Sequence, residues 1–446
     1  MEKLWQINES INSFVWGKGM ILFLLFSGAL LLVRCRFLPI TKMRLIYQRT
    51  IGTLFGGKDK SEGITSFQAV ATALAGTLGV GSVIGVATAL TVGGPGALVW
   101  MWISAFFGMM TKYGEVVLAI VFRRRQKDGR YLGGPMMTLE YGCHMRFLGV
   151  LFALLCLFAS FGIGNVTPAN TITMSVRSYL PIPSWLIGVI TAVIVGTVIM
   201  GSAKRIMRVN EIAIPLISIA YIGACIYMII IHSDRLLPAF NAVFTDAFSF
   251  PSASGGISGF MITKAIHYGI SRGVFSNEAG MGSSPISHAA VEKVSAVEQG
   301  FWGIFEVFFD TIVVCTLTAL VLLTSGLLNQ GLDGVELSIA CFEQGFGQFG
   351  GILFAASIVA FAIPSILGWY YYAQECIRYL FSAKWMLTIY QLLFLGLIII
   401  GSTMELHYVW ELADTLNGLM SIPNLISLVI LHGVVVKCTK EYLRKS

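Results

Sequence analysis

The chain is 446 residues long, with 56% hydrophobic and only 12% charged residues. A soluble globular protein typically carries ~25% charged residues, so the composition excludes that class and reads as a protein that crosses a membrane many times. The net charge of +7 calls for no nucleic acid, because Lys and Arg cluster beside apolar runs, where the positive-inside rule puts them.

At ~20 apolar residues per crossing, the sequence predicts about eleven spans, near 17–34, 67–91, 95–122, 148–176, 183–201, 209–232, 256–288, 300–325, 349–381, 384–403 and 415–436. The stretch before span one, MEKLWQINESINSFVWGKG, lacks the basic n-region and small-residue cleavage site of a signal peptide. Span one is therefore expected to stay. The loop after it carries Arg34, Arg36, Lys42, Arg44, Arg49, Lys58 and Lys60, and the loop after span three carries Arg123, Arg124, Arg125, Lys127 and Arg130. Lys204, Arg205 and Arg208 follow span five, and Lys437, Lys440, Arg444 and Lys445 follow span eleven. The alternate loops are poor in positive charge. This alternation predicts an outside N-terminus and an inside C-terminus.

Span two contains ATALAGTLGVGSVIGVATALTV (71–92), interrupted by Gly76, Gly79, Gly81 and Gly85, with Gly93 just beyond. Glycine inside a helix costs ~1 kcal/mol against alanine, and unwound backbone at membrane depth survives only where protein or a watery cavity covers it. Free amides near Gly79 and Gly81 would suit an anionic group, with Thr77 adding a hydroxyl. Close helix packing through small residues is the alternative for the glycines, and back-bonding to its own helix the alternative for Thr77. In span three, Lys112 and Glu115 stand three apart near the basic end, close enough to pair on one face as a structural or inner-gate element.

Span four places Asn165 and Asn170 either side of Pro168, which loosens the helix. Intramembrane polar residues face the bundle interior, as substrate contacts or as packing glue between helices. Span seven reads KAIHYGISRGVFSNEAGMGSSPISHAA, broken by glycines around Arg272 and Glu278. Charges at that depth cost ~2.5–3.5 kcal/mol each, so both should be paired or hydrated, and Glu278 either holds the break or carries a proton. Asp310 in span eight is an isolated acid, an ion ligand or a buried anchor. Trp369 in span nine could wall a cavity. The eight cysteines form no CxxC or His-rich pairing, so neither a disulfide framework nor a metal site is predicted.

Matching broken helices in opposed halves are the sequence pointer to an inverted-repeat transporter. The units expected are an N-terminal span and basic loop (1–66), a first five-helix repeat (67–232, broken at 67–91), a second (233–436, broken at 256–288) and a tail (437–446).

GGPGALVWMWISAFFGMMTKYGEVVLA (93–119) and SRGVFSNEAGMGSSPISHAA (271–290) resemble signatures of the alanine or glycine:cation symporter family. FGIGNVTPANTI (161–172), FDTIVVCTLTALVLL (309–323) and LGWYYYAQECIRYLF (367–381) echo it in order. The resemblance implies an all-α, leucine-transporter-type five-plus-five fold with one extra N-terminal span, in a bacterial or archaeal cytoplasmic membrane. It implies import of a small neutral amino acid with Na+, or in some members H+, and no enzyme activity or cofactor. Substrate contacts are then expected at Thr77, Gly79, Gly81, Asn165, Asn170, Gly273, Ser276, Asn277 and Trp369, and ion contacts at Ser82, Ser365 and Asp310. Lys112, Glu115, Arg272 and Glu278 are expected as gate or structural charges.

The chain departs from the family where ion ligands are expected. Gly79-Val80-Gly81-Ser82-Val83 stands in place of Gly-Thr-Gly-Asn-Ile, and Ile363-Pro364-Ser365 in place of Phe-Ser-Thr. Val80 loses a threonine hydroxyl, Ser82 exchanges a side-chain amide oxygen for a hydroxyl, and Pro364 removes one hydroxyl while Ser365 keeps the other. Proton coupling and a passive facilitator with degraded sodium sites are the alternatives this leaves. No HExxH metal motif, nucleophile–base pair or P-loop appears, so neither an enzyme nor an ATP-driven pump is predicted.

Overall fold

The computed structural model describes residues 2–54, 63–79, 81–248, 256–328, 330–332, 334–404 and 406–445; Lys58, Lys60 and Val80 lie outside them. Each predicted span coincides with helix. Eight helices among the described residues are long and apolar enough to cross a membrane, from Gln6–Arg34 to Leu412–Lys445. Span two adds a ninth crossing if its halves, Ser66–Thr77 and Gly81–Gly93, which meet at 48°, count as one. Span five is the shorter helix Ser184–Ile199, and span seven is Gly256–Asn277 followed by an irregular stretch and the short helix Pro285–His288. Span seven fails the apolar criterion because Lys264, His267 and Arg272 lie within it. Residues 437–445 continue the helix of span eleven.

Span three, Ala97–Val121, is the hub. In its most apolar window 83% of residues are buried, against 22% for span ten, Lys384–Gly401. It packs most closely against spans seven and eight. Small residues make this possible: a Cβ on Gly273 would stand 2.6 Å from Ser104 Oγ, and one on Gly300 would stand 2.7 Å from the Tyr113 ring. Without a hydrophobic drive between helices in lipid, such close backbone approach supplies the packing.

Capping starts the first half of span two. Thr65 Oγ1 accepts from the Gln68 amide at 3.2 Å while Gln68 Oε1 accepts from the Thr65 amide at 3.1 Å, a reciprocal box that satisfies two orphan donors. The spans are then interrupted by π-helical turns at Gly81–Gly85 in span two, Gly162–Val166 in span four and Phe308–Cys315 in span eight. Such turns are rare and concentrate at functional sites.

On the basic face, Arg36 and Phe37 take consecutive left-handed conformations (φ 56° and 55°), which cost L-residues ~1–2 kcal/mol each. They turn the chain out of span one into the short helices Leu38–Thr41 and Met43–Arg49. The basic loop after span three holds a two-residue antiparallel ribbon pairing Arg124 with Leu132 and Arg125 with Tyr131.

Candidate functional site

The breaks of spans two and seven meet at the centre of the helical bundle. A Cβ on Gly81 would lie 3.1 Å from Ser276 Cα, so glycine lets the two broken backbones touch. Span seven stops at Asn277, whose Oδ1 accepts from the Ala279 amide at 3.0 Å. Glu278 then adopts φ 53° and Gly280 φ 93°. A left-handed glutamate persists only where its surroundings over-determine it, and here a buried ammonium does so. Lys112 Nζ donates to the Glu278 carbonyl at 3.1 Å and to Ser284 Oγ at 2.6 Å, and pairs with Glu306 Oε1 at 3.3 Å. His288 Nε2 meets the other oxygen of Glu306 at 3.2 Å, and Gln299 Nε2 meets His288 Nδ1 at 2.7 Å.

Between the breaks lies a small cavity lined by Gly76, Thr77, Gly81, Ile163, Thr167, Phe275, Glu278 and Ser365, with a volume of about 20 Å³. That is room for a single water. A Cβ on Gly76 would sit 3.1 Å from the Tyr372 hydroxyl and 3.5 Å from Glu278 Oε1, so a phenol and a carboxylate converge on glycine backbone. The second Glu278 oxygen accepts from Ser283 Oγ. Thr167 Oγ1 is buried without a partner. Ser365 Oγ would be 3.5 Å from a Cβ on Gly79. The wall thus offers one acid, several hydroxyls and two apolar side chains, drawn from spans two, four, seven and nine.

Beside the cavity, the π-helical turn of span eight presents Asp310, which is fully buried. Ser82 Oγ stands 2.5 Å from its Oδ1, Ser276 Oγ 2.9 Å from Oδ2 and Thr311 Oγ1 2.9 Å from Oδ2. Ser82 Oγ also lies 3.0 Å from the Thr77 carbonyl and 3.0 Å from Ser276 Oγ. Each hydroxyl has one proton, so it cannot donate to all these neighbours at once and its lone pairs stay inside the cluster. The cations nearest the breaks are paired elsewhere, Lys112 with Glu306 and Arg272 with Asp414. The result is an oxygen-rich, acid-centred nest built from both breaks and span eight, chemically suited to a small hard cation.

Among the expected residues, Thr77, Gly81 and Ser365 line the cavity, and Gly79 lies against Ser365. Ser82, Ser276 and Asp310 form the oxygen nest, with Asn277 joined to it through a 3.0 Å bond from Nδ2 to Thr311 Oγ1. Ser276 and Asn277 therefore belong to the nest rather than the cavity wall. The Thr77 hydroxyl donates to the Leu74 carbonyl at 3.3 Å, the local back-bond.

Several expectations need correction. Asn165 Nδ2 donates to the Phe394 carbonyl at 2.7 Å, and Asn170 Nδ2 to the Gly401 and Met404 carbonyls at 3.0 and 2.5 Å. Both asparagines thus bind span ten and its end rather than the cavity, because an amide in an apolar setting takes the carbonyl within reach. Gly273 is a packing contact with span three. Trp369 packs against Gly164 and sits 5.6 Å from the Tyr372 ring, its indole N–H buried and unpartnered. Lys112 pairs with Glu306 and not with Glu115, which instead accepts from Asn424. Arg272 leaves the break and pairs with Asp414 of span eleven at 3.2 Å, its guanidinium 5.6 Å over the Phe275 ring. Glu278, expected as a structural or gate charge, is a cavity residue.

Sequence reasoning passed over Thr167, Phe275, Tyr372 and Glu306. Thr167 lay in the span-four motif but was overshadowed by its asparagine neighbours. Glu306 stands four residues before Asp310, and two acids at helical spacing in one apolar span were a readable signal.

Access differs at the two faces. On the face opposite the basic loops, the Arg272–Asp414 pair covers Phe275 and the cavity beneath. On the basic face, a cleft of about 1080 Å³ opens between Ser66, Gln68, Lys204, Arg208, Glu211 and Glu292, among others.

The model of the sodium:alanine symporter family matches residues 1–446. The sodium/alanine symporter AgcS of Methanococcus maripaludis is 41% identical over 443 residues, 97% of this chain and 96% of that protein. The probable sodium/glutamine symporter GlnT of Bacillus subtilis is 33% identical over 436 residues, 97% of this chain and 90% of that protein. Among solved structures, MhsT in complex with L-phenylalanine superposes with a TM-score of 0.59 at 14% identity, covering 86% of this chain and 99% of that one. That likeness establishes the leucine-transporter-type helical fold.

Proposed function

Because the chain belongs to the sodium:alanine symporter family, a family of membrane transporters and not enzymes, we propose that it imports a small neutral amino acid, alanine or glycine, with Na+ by alternating access around the paired breaks. The observation that carries this reading is the union, at one point, of a glycine-walled cavity with the Asp310 nest. In this reading Glu278 and the Tyr372 hydroxyl receive the substrate ammonium, and backbone amides freed at the span-two break take its carboxylate. Ile163 and Phe275 would pack against the substrate side chain, which favours a hydrogen or a methyl over a larger group. Ser82, Ser276, Thr311, Asp310 and the Thr77 carbonyl hold one cation, and Ser365 with backbone near Gly79 holds a second. The basic loops mark the cytoplasmic side, so in this reading the Arg272–Asp414 pair lies on the outer side of the cavity and the cleft opens on the cytoplasmic side.

Proton coupling is the second reading. It is favoured by two buried acids, Glu278 and Asp310, whose carboxylates are contacted by hydroxyls and form no ion pair among the described residues. Uptake of labelled alanine and glycine into proteoliposomes under an inward sodium gradient, an inward proton gradient or none decides between them. Accumulation with sodium alone is expected. Accumulation with protons alone would transfer the coupling role to Glu278 and Asp310, and equilibration without accumulation would make the protein a facilitator.

A further inference from the structure

A second concave site lies on the basic face, far along the chain from the transport machinery. It is a groove of about 440 Å³ between the end of span one and the end of span eleven. Arg34, Arg36, Lys42, Lys440 and Arg444 line it, over an apolar floor that includes Leu38 and Val436, and no carboxylate lines it. Several arginines elsewhere on this face are paired with acids, Arg49 with Glu298, Arg208 with Glu211 and Arg378 with Glu375. Among the described residues none of the five groove cations makes an ion pair. The one acid in the last ten residues, Glu441, lies outside the groove lining.

We propose that this groove binds the phosphate headgroup of an anionic phospholipid from the cytoplasmic leaflet. Three features distinguish it from the ordinary run of positive-inside charge. It is concave and lined by cations from two spans that meet only in the folded protein. The two left-handed residues, Arg36 and Phe37, are held in an unfavourable turn that delivers Arg36 to its wall. Phe37, Ile40, Met43 and Tyr47 are exposed on the adjoining segment, so apolar side chains and cations share one level, as in a helix lying in the headgroup layer. Basic pockets between helices on the cytoplasmic side are suited to such headgroups, and the apolar floor favours a lipid over a free anion.

The test is native mass spectrometry of the full-length protein in detergent, titrated with phosphatidylglycerol or phosphatidylcholine. Wild type should retain phosphatidylglycerol preferentially. The R34Q/R36Q/K440Q variant should lose roughly fivefold in affinity per cation, about 100-fold together, while R124Q/R125Q/K127Q, equal in charge removed, should keep it. R34K/R36K/K440R should also keep it, and its thermal stability checks that the groove still folds. Equal loss in both glutamine variants would reduce the effect to general surface charge and overturn the proposal. So would the absence of any preference over phosphatidylcholine, or complete displacement by inorganic phosphate.

Discussion

Asp310 concentrates the chemistry of the molecule into one side chain. Its carboxylate keeps three hydroxyl neighbours, and removing its charge leaves them without an anionic centre. D310N should abolish sodium-stimulated uptake while leaving folded yield intact, read as uptake against sodium concentration in proteoliposomes. Unchanged sodium dependence would remove Asp310 from the ion path. For Glu278, the amide of E278Q preserves shape and loses the charge-assisted bond, worth ~1.5–3 kcal/mol. The expected result is a KM for alanine raised about 10- to 100-fold. Asn165 tests the opposite case: its amide holds the Phe394 carbonyl, so N165A should lower thermal stability by ~1–2 kcal/mol with little change in KM. A large KM change would return Asn165 to the substrate site. These assignments also show what one-dimensional spacing hides. A polar residue in a span was readable as facing inward, but whether it turns towards the cavity or the next helix depends on neighbours distant in sequence, such as Phe394 or Glu306.

At the level of single helices, the breaks in spans two and seven were legible because glycine clusters are costly in any plain membrane helix. The π-helical turns were not. Each adds a residue to a turn without any fixed sequence mark, and one residue rotates the following face by ~100°. Asp310 lies in such a turn and faces hydroxyls from two other spans, Ser82 and Ser276. Span nine runs as one helix, Gln348–Leu380, with Pro364 inside it. Pro364 deprives the Ala360 carbonyl of its helical donor, next to Ser365 in the cavity wall. P364S restores a hydroxyl at that point and should lower the sodium concentration for half-maximal uptake, by roughly fivefold if the hydroxyl contributes ~1 kcal/mol. A rise or no change would mean that the freed carbonyl already serves as the ligand.

Over the whole molecule, the many-span helical architecture and the order of its apolar runs were present in composition, since length and apolarity follow directly from the thickness of a bilayer. The connection between opposite ends of the chain was not. Arg272 meets Asp414 only after the bundle closes, and together they seal the side away from the basic loops. R272A should weaken that seal. A single cysteine introduced at Phe275 should then be labelled from outside by a membrane-impermeant thiol reagent faster than in the Arg272 background, provided the native cysteines are replaced. Equal labelling would show that packing, not the ion pair, holds the face shut.

The cavity has room for one water, which sets a limit in time as well as in space. An amino acid cannot enter by displacing solvent alone; it must wait until Phe275 and its neighbours move apart. Binding measured by rapid mixing should therefore not rise in proportion to substrate concentration. The observed rate should level off at the frequency with which the wall opens, well below the diffusional limit of ~10⁹ per molar per second, and that plateau should be the same for glycine and alanine.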